Sequence, residues 1–214
     1  MARNARYDRQ IALDKAMNLF WERGYAGASM KQIEQALDMR PGSIYATFGS
    51  KDGLFSEALA AYAQRSGLEL REHLAGSPSV MDGLQEHLRC IARQASPGGE
   101  SPSRACMVVK TLLEASNTNT AIANQANSIL SAIEQALTEL LEQAKLQGEL
   151  APGTHCARLA RLLQAQIIGL RSFAQREISL SRSLSLPKTW QPCSITIVPA
   201  TRLRPLRSCP GYRY

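Results

Sequence analysis

Between residues 8 and 178, apolar residues recur at spacings of three and four, and no stretch alternates apolar with polar as a half-buried strand does. Turn-forming residues interrupt the pattern at 24–29, 38–41, 49–50, 76–79, 96–103 and 148–153. The periodicity therefore predicts about eight helices and an all-α protein. No segment repeats at a fixed period. Apolar residues make up 44% of the chain, enough for a packed core, yet no run approaches the ~20 residues that a bilayer span needs. No apolar stretch follows the basic residues near the N-terminus, so a secretory leader is not expected.

The pattern ends abruptly at Ser179. Residues 179–214 hold five prolines, six serines, six basic residues and no acid. Proline at that density forbids a sustained helix, so this tail is expected to be irregular or disordered. Losing every acid at one position is also what a shifted reading frame or a replaced terminus would produce. The tail carries nearly all of the net charge of +7, because residues 1–178 contain 19 basic and 18 acidic side chains. A nucleic-acid reading must therefore rest on local motifs and not on overall charge.

Within the first fifty residues, Leu13, Ala16, Met17 and Phe20 line one face of a first helix, and Gly24 is placed to stop it. Ser29-Met30-Lys31-Gln32 reads as a capping box opening a second, short helix with Met30, Ile33 and Leu37 inward. Asp38 tolerates the left-handed backbone of a tight turn. Pro41 suits the first turn of a third helix, running from 41 to about 48, with Ile44 and Phe48 inward. Gly49-Ser50-Lys51-Asp52 ends that helix and caps a fourth, whose buried side is Leu54, Phe55, Ala58, Leu59 and Tyr62. Two short helices joined by a tight turn make a helix-turn-helix, whose second helix enters a DNA major groove.

The stretch from Ala28-Ser29-Met30-Lys31-Gln32-Ile33 through Pro41-Gly42-Ser43-Ile44-Tyr45-Ala46-Thr47-Phe48-Gly49-Ser50-Lys51-Asp52-Gly53-Leu54-Phe55 resembles the DNA-binding domain of the TetR/AcrR transcriptional regulators. The resemblance is clear from about residue 9 to 62. Over 68–178 it is to that family's general helical regulatory domain, best at 104–114. It implies a helix-turn-helix domain over 1–50, a ligand-binding and dimerisation domain over 51–178, and the tail beyond. It also implies double-stranded DNA with a palindromic operator as partner, a small-molecule effector and a homodimer. Ser29, Tyr45, Thr47 and Lys51 match phosphate-contacting positions, and Arg40, Pro41, Gly42 and Ser43 stand where bases are read. A bidentate Arg40–guanine contact is worth about 1–3 kcal/mol of discrimination. Two departures stand out: Asp38 replaces the usual Gly or Asn, and Arg40 occupies an N-cap where Ser is common, forgoing about 1 kcal/mol of capping.

In the second half, helices are expected near 81–95, 104–116, 119–147 and 154–178. Leu159, Leu162, Leu163, Gln166, Ile167 and Leu170 mark an apolar stripe on the last of these. In the family two C-terminal helices per subunit form the dimer bundle, and this helix resembles the first of that pair. Where the second would follow, this chain has the tail.

The five cysteines are widely spaced and odd in number, with no Cys-x-x-Cys, so neither a disulfide scaffold nor a zinc finger is expected, and the simplest setting is cytoplasmic. Cys106, in an apolar run, reads first as a small hydrophobe. Its sharper reading is a candidate sensor thiol for oxidants, electrophiles or a soft metal. Cys90 and Cys156 read as buried hydrophobes. His73, His87 and His155 lack ligand spacing, and His155 and Cys156 diverge on a helix, so no metal and no cofactor are expected. There is no phosphate loop, nucleophile elbow or His-Glu-x-x-His, and an enzyme is not expected.

Overall fold

The computed structural model describes residues 2–94 and 105–174, with side chains over 9–92 and 105–172. The turn at 96–103 and the expected irregular tail at 179–214 lie outside the described residues. Among the described residues there are eight helices and no strand. They are α1 (Ala2–Gly27), α2 (Met30–Leu37), α3 (Pro41–Phe48), α4 (Lys51–Ala75), α5 (Val80–Gln94), α6 (Met107–Ala115), α7 (Thr120–Leu146) and α8 (Cys156–Ala174). No described helix is long and apolar enough to cross a membrane.

The local signals act where the sequence places them. Ser29 Oγ accepts the Gln32 amide, and Gln32 Oε1 accepts the Ser29 amide at 2.9 Å, closing the capping box of α2. Asp38 ends α2 in the left-handed conformation, φ 55 and ψ 45. Pro41 opens α3 behind an N-cap, Arg40, that makes no side-chain cap bond. Ser50 Oγ accepts the Gly53 amide at 2.9 Å to start α4.

The stop at Gly24 takes an unexpected form. The backbone leaves the helix there (φ 74, ψ 177) and resumes a turn ending at Gly27. Such a break orphans carbonyls on one side and amides on the other. Side chains of α6 meet both sets. Lys110 Nζ donates to the carbonyls of Trp21 (2.8 Å) and Glu22 (3.4 Å). The Glu114 carboxylate accepts from the amides of Tyr25 (3.1 Å) and Ala26 (2.6 Å). A Cβ at residue 24 would stand 2.7 Å from Glu114 Oε2.

Buried apolar residues form two clusters. The first joins Met17 and Phe20 of α1, Ile33 and Leu37 of α2, Ile44 and Phe48 of α3, and Leu54 to Tyr62 of α4 with Met107 and Val108 of α6 and Ile122 of α7. Phe20 and Phe55 meet edge to face at 4.8 Å, a favoured aromatic geometry. The second cluster packs Leu84 of α5, Leu137 and Leu141 of α7, and Cys156, Ala160 and Leu163 of α8. The stripe expected on α8 divides. Leu159, Leu163 and Ile167 recur every fourth residue and pack inward, while the neighbouring line holds Leu162, 56% exposed, and exposed Gln166. Adjacent lines of a helix can share one buried face, as Leu13, Ala16, Met17 and Phe20 do on α1, so the split on α8 reflects which of its sides α5 and α7 cover.

Candidate nucleic-acid interface

In the helix pair α2–α3 the inward positions Ile33, Leu37, Ile44 and Phe48 are all buried. Their spacing fixes what faces out. Arg40, Pro41, Gly42, Ser43 and Tyr45 are exposed, and so is Ser29 at the start of α2. Tyr45 keeps 47% of its surface in solvent, so its ring and hydroxyl are open to a partner on this face. Gly42 is open, with nothing within 4 Å of where a Cβ would stand. The Arg40 side chain has no ion-pair partner among the described residues, and only its carbonyl serves the helix, accepting from Ser43 (3.0 Å) and Ile44 (3.1 Å).

Thr47 and Lys51 are half-buried and more constrained. The Thr47 hydroxyl donates to the Ser43 carbonyl at 2.8 Å, so in this rotamer its proton points back along α3. The Lys51 ammonium sits 4.4 Å from the centroid of the Tyr25 ring, a cation–π seat. Tyr25 is itself held: its hydroxyl donates to Asp52 Oδ1, while Asn119 Nδ2 donates to Asp52 Oδ2 at 3.2 Å. The hydrogen bond to Asp52, then burial and the charge of Asp52, push the phenol up to about 12, so it is neutral near neutrality. A chain of contacts thus runs from the α6–α7 turn through Asp52 and Tyr25 to Lys51.

Two further residues, which the sequence pattern did not single out, lie against these positions. Tyr25 positions Lys51. Arg9 forms an ion pair with Glu57 at 2.6 Å and lies over the Phe48 ring at 5.0 Å, tying α1 and α4 to the end of α3. No motif marks either, because each acts on partners more than twenty residues away.

Away from this face, Cys106 precedes α6 as its half-buried N-cap residue, and Cys156 is buried, where desolvation pushes its thiol up. Cys90 is half-buried, and His155 is exposed beside buried Cys156. His73 and His87, without ligand spacing in sequence, meet with Nδ1 atoms 3.3 Å apart. Burial first, then the charges of Arg171 and His73, pull His87 down to about 4.

The family model of bacterial regulatory proteins of the tetR family matches residues 12–58, and that of the tetracyclin repressor-like C-terminal domain matches 85–177. Among solved structures, the chain is similar to a cysteine mutant of the TetR family transcriptional regulator CifR complexed with 26-bp double-strand operator DNA. The identity there is 34%, over 82% of this chain and 91% of that one, with a TM-score of 0.73. Salmonella enterica GusR is 26% identical over 83% of this chain and 86% of that one, with a TM-score of 0.64. The HTH-type transcriptional repressor ComR of Escherichia coli (strain K12) is 29% identical over 188 residues, 86% of this chain and 87% of that protein. These matches are to regulators and not to enzymes. The chain belongs to the tetR family of bacterial regulatory proteins.

Proposed function

We infer that this regulator is a repressor that holds a palindromic operator and releases it when a small molecule binds. Residues 1–50 read double-stranded DNA, and 51–178 bind the effector and dimerise. The observation that carries the reading is the outward face of α3: Arg40 to Ser43 and Tyr45 are exposed together, opposite a fully buried apolar side. Arg40, Pro41, Gly42 and Ser43 meet base edges, while Ser29, Tyr45, Thr47 and Lys51 hold phosphates and set register. Thr47 serves once its hydroxyl rotates away from Ser43. CifR, 34% identical, was solved on operator DNA, which supports the same role here.

One reading head covers little DNA, and two heads about one helical turn, ~34 Å, apart supply the rest. The outward line of α8, with Leu162 56% exposed, supports a homodimer through that helix. An effector releases DNA by binding better to the conformation whose heads are wrongly spaced. Lys110 and Glu114 of α6 and Asp52 of α4 connect the regulatory helices to α1.

The test is selection of bound duplexes from a random library with the purified chain. A palindrome whose binding weakens steeply with salt is expected. No enrichment, or binding indifferent to salt, overturns the reading. Light scattering should give a mass near twice 23.4 kDa. A mass near 23.4 kDa would instead favour a dimerisation-impaired member of the family.

A second reading makes Cys106 the sensor of oxidants, electrophiles or a soft metal, with the same DNA-binding head. It is favoured by the place of Cys106: the residue is half-buried at the N-cap of α6, next to Ala105, whose carbonyl accepts from Trp21 Nε1 of α1 at 2.7 Å. Peroxide or N-ethylmaleimide should then release DNA from the unaltered chain and not from Cys106→Ser.

A further inference from the structure

Arg171, in the last turn of α8, is half-buried, and its guanidinium has an unusual partner. Nη1 donates to the Tyr62 hydroxyl of α4 at 3.0 Å, a neutral phenol and not a carboxylate. Among the described residues no Asp or Glu lies within 4.0 Å of it. A guanidinium has five N–H donors in a planar fork, and among the described residues one of them is used. Taking such a charge out of water without an opposite charge is unfavourable, and a bidentate anion is its natural complement.

Its surroundings hold a buried imidazole and apolar side chains in place of a carboxylate. His87 of α5 is 6% exposed and close enough for the Arg171 charge to act on it. One His87 nitrogen faces His73, while Nε2 has no hydrogen-bond partner among the described residues. Leu84 and Ile91, flanking His87 on α5, are buried, and Ile167, one turn before Arg171, packs on the second cluster. Helices α4, α5 and α8, which pack together, thus supply a phenol, a spare imidazole nitrogen, a charge and buried apolar side chains.

The site is also wired to the reading head. The Tyr62 ring meets Trp21 of α1 edge to face at 5.1 Å. Trp21 Nε1 in turn donates to the Ala105 carbonyl at 2.7 Å. A group that competes for the Arg171 fork therefore loosens Tyr62 from α8 at the junction of α1 and α6.

We propose that Arg171, Tyr62 and His87 form the anchoring end of the effector site, and that the effector is a small organic monocarboxylate on an apolar body. The carboxylate takes the Arg171 fork, His87 Nε2–H donates to it, and the apolar body lies along α5 and α8. This rests on the reading that the chain releases DNA to an effector.

The test uses the full chain with Trp190→Phe, which leaves Trp21 as the single tryptophan. Benzoate, hexanoate and a panel of aromatic and medium-chain monocarboxylates are titrated, each beside its primary amide. At least one acid should give a saturable change in Trp21 emission, with its amide about tenfold weaker or worse, the scale of one lost charged hydrogen bond. That comparison needs no altered site. Arg171→Gln should lose the response, and Arg171→Lys should keep part of it because charge remains. No response from any acid, equal response to acid and amide, or an unchanged response in Arg171→Gln overturns the site. Operator release is read separately on the same samples. An acid that binds through Arg171 without releasing DNA leaves the site standing and overturns the effector reading. Release by neutral compounds, with no acid acting, does the reverse.

Discussion

Two glycines separate the stability of the reading head from its contact with DNA. Gly42, in the first turn of α3, has nothing within 4 Å of the point where an added methyl would stand. Replacing a helical glycine with alanine removes backbone freedom from the unfolded chain, so Gly42→Ala should stabilise by roughly 0.5–1 kcal/mol. For a chain of this size that raises the Tm by about 1–4 °C. The same methyl stands on the face assigned to base edges, where a misfit typically weakens specific binding by about 1–3 kcal/mol, roughly 5- to 150-fold in Kd. Gly53, in the first turn of α4, is the opposite case. Its Cβ would lie 2.2 Å from the Phe48 carbonyl oxygen, so α3 and α4 must move apart. Gly53→Ala should destabilise by at least about 1–3 kcal/mol. The assay pairs thermal unfolding with fluorescence anisotropy on the selected duplex. A Gly42→Ala chain that is more stable and binds as tightly as the unaltered protein would refute the placement of this face against DNA. No folding defect can produce the expected combination of higher Tm and weaker binding.

Other outcomes follow from single contacts. Ser29→Ala removes the acceptor for the Gln32 amide and should lower stability by roughly 1 kcal/mol, read as a reduced urea midpoint at unchanged m. Glu114→Ala strips the amides of Tyr25 and Ala26 of their acceptor, at a cost of about 1–3 kcal/mol. Hydrogen exchange at those two amides should quicken, and unchanged rates would show that Glu114 does not hold the break in α1. His87 titrates at about 4 in the folded chain against 6.5 when free. Between those values the unfolded chain binds more protons, so stability falls as pH drops through that window, by about 3 kcal/mol in full. His87→Leu should flatten the dependence of the urea midpoint from about pH 7 to pH 4.5, and an unaltered slope would place the effect elsewhere.

What the sequence could determine alone is whatever a few adjacent residues decide. The capping box at Ser29–Gln32, the left-handed Asp38, Pro41 opening α3 and Ser50 opening α4 are bonds or backbone preferences spanning three or four positions. The inward faces of α1 to α4 follow from the helical period, and fixing them leaves Arg40 to Ser43 and Tyr45 outside. The tertiary structure decided which helices meet, and therefore everything between distant side chains. Lys110 and Glu114 sit on the break at Gly24 from almost ninety residues away. Lys51 is steered by Tyr25, His73 finds His87, and Arg171 finds Tyr62 across 109 positions. Leu162 shared a stripe with Leu163 by spacing, yet only Leu163 is buried, because α7 covers one side of α8. Spacing gives the angle of a side chain about its own helix axis; the partner it meets depends on how separate helices pack, and neighbouring residues carry no record of that.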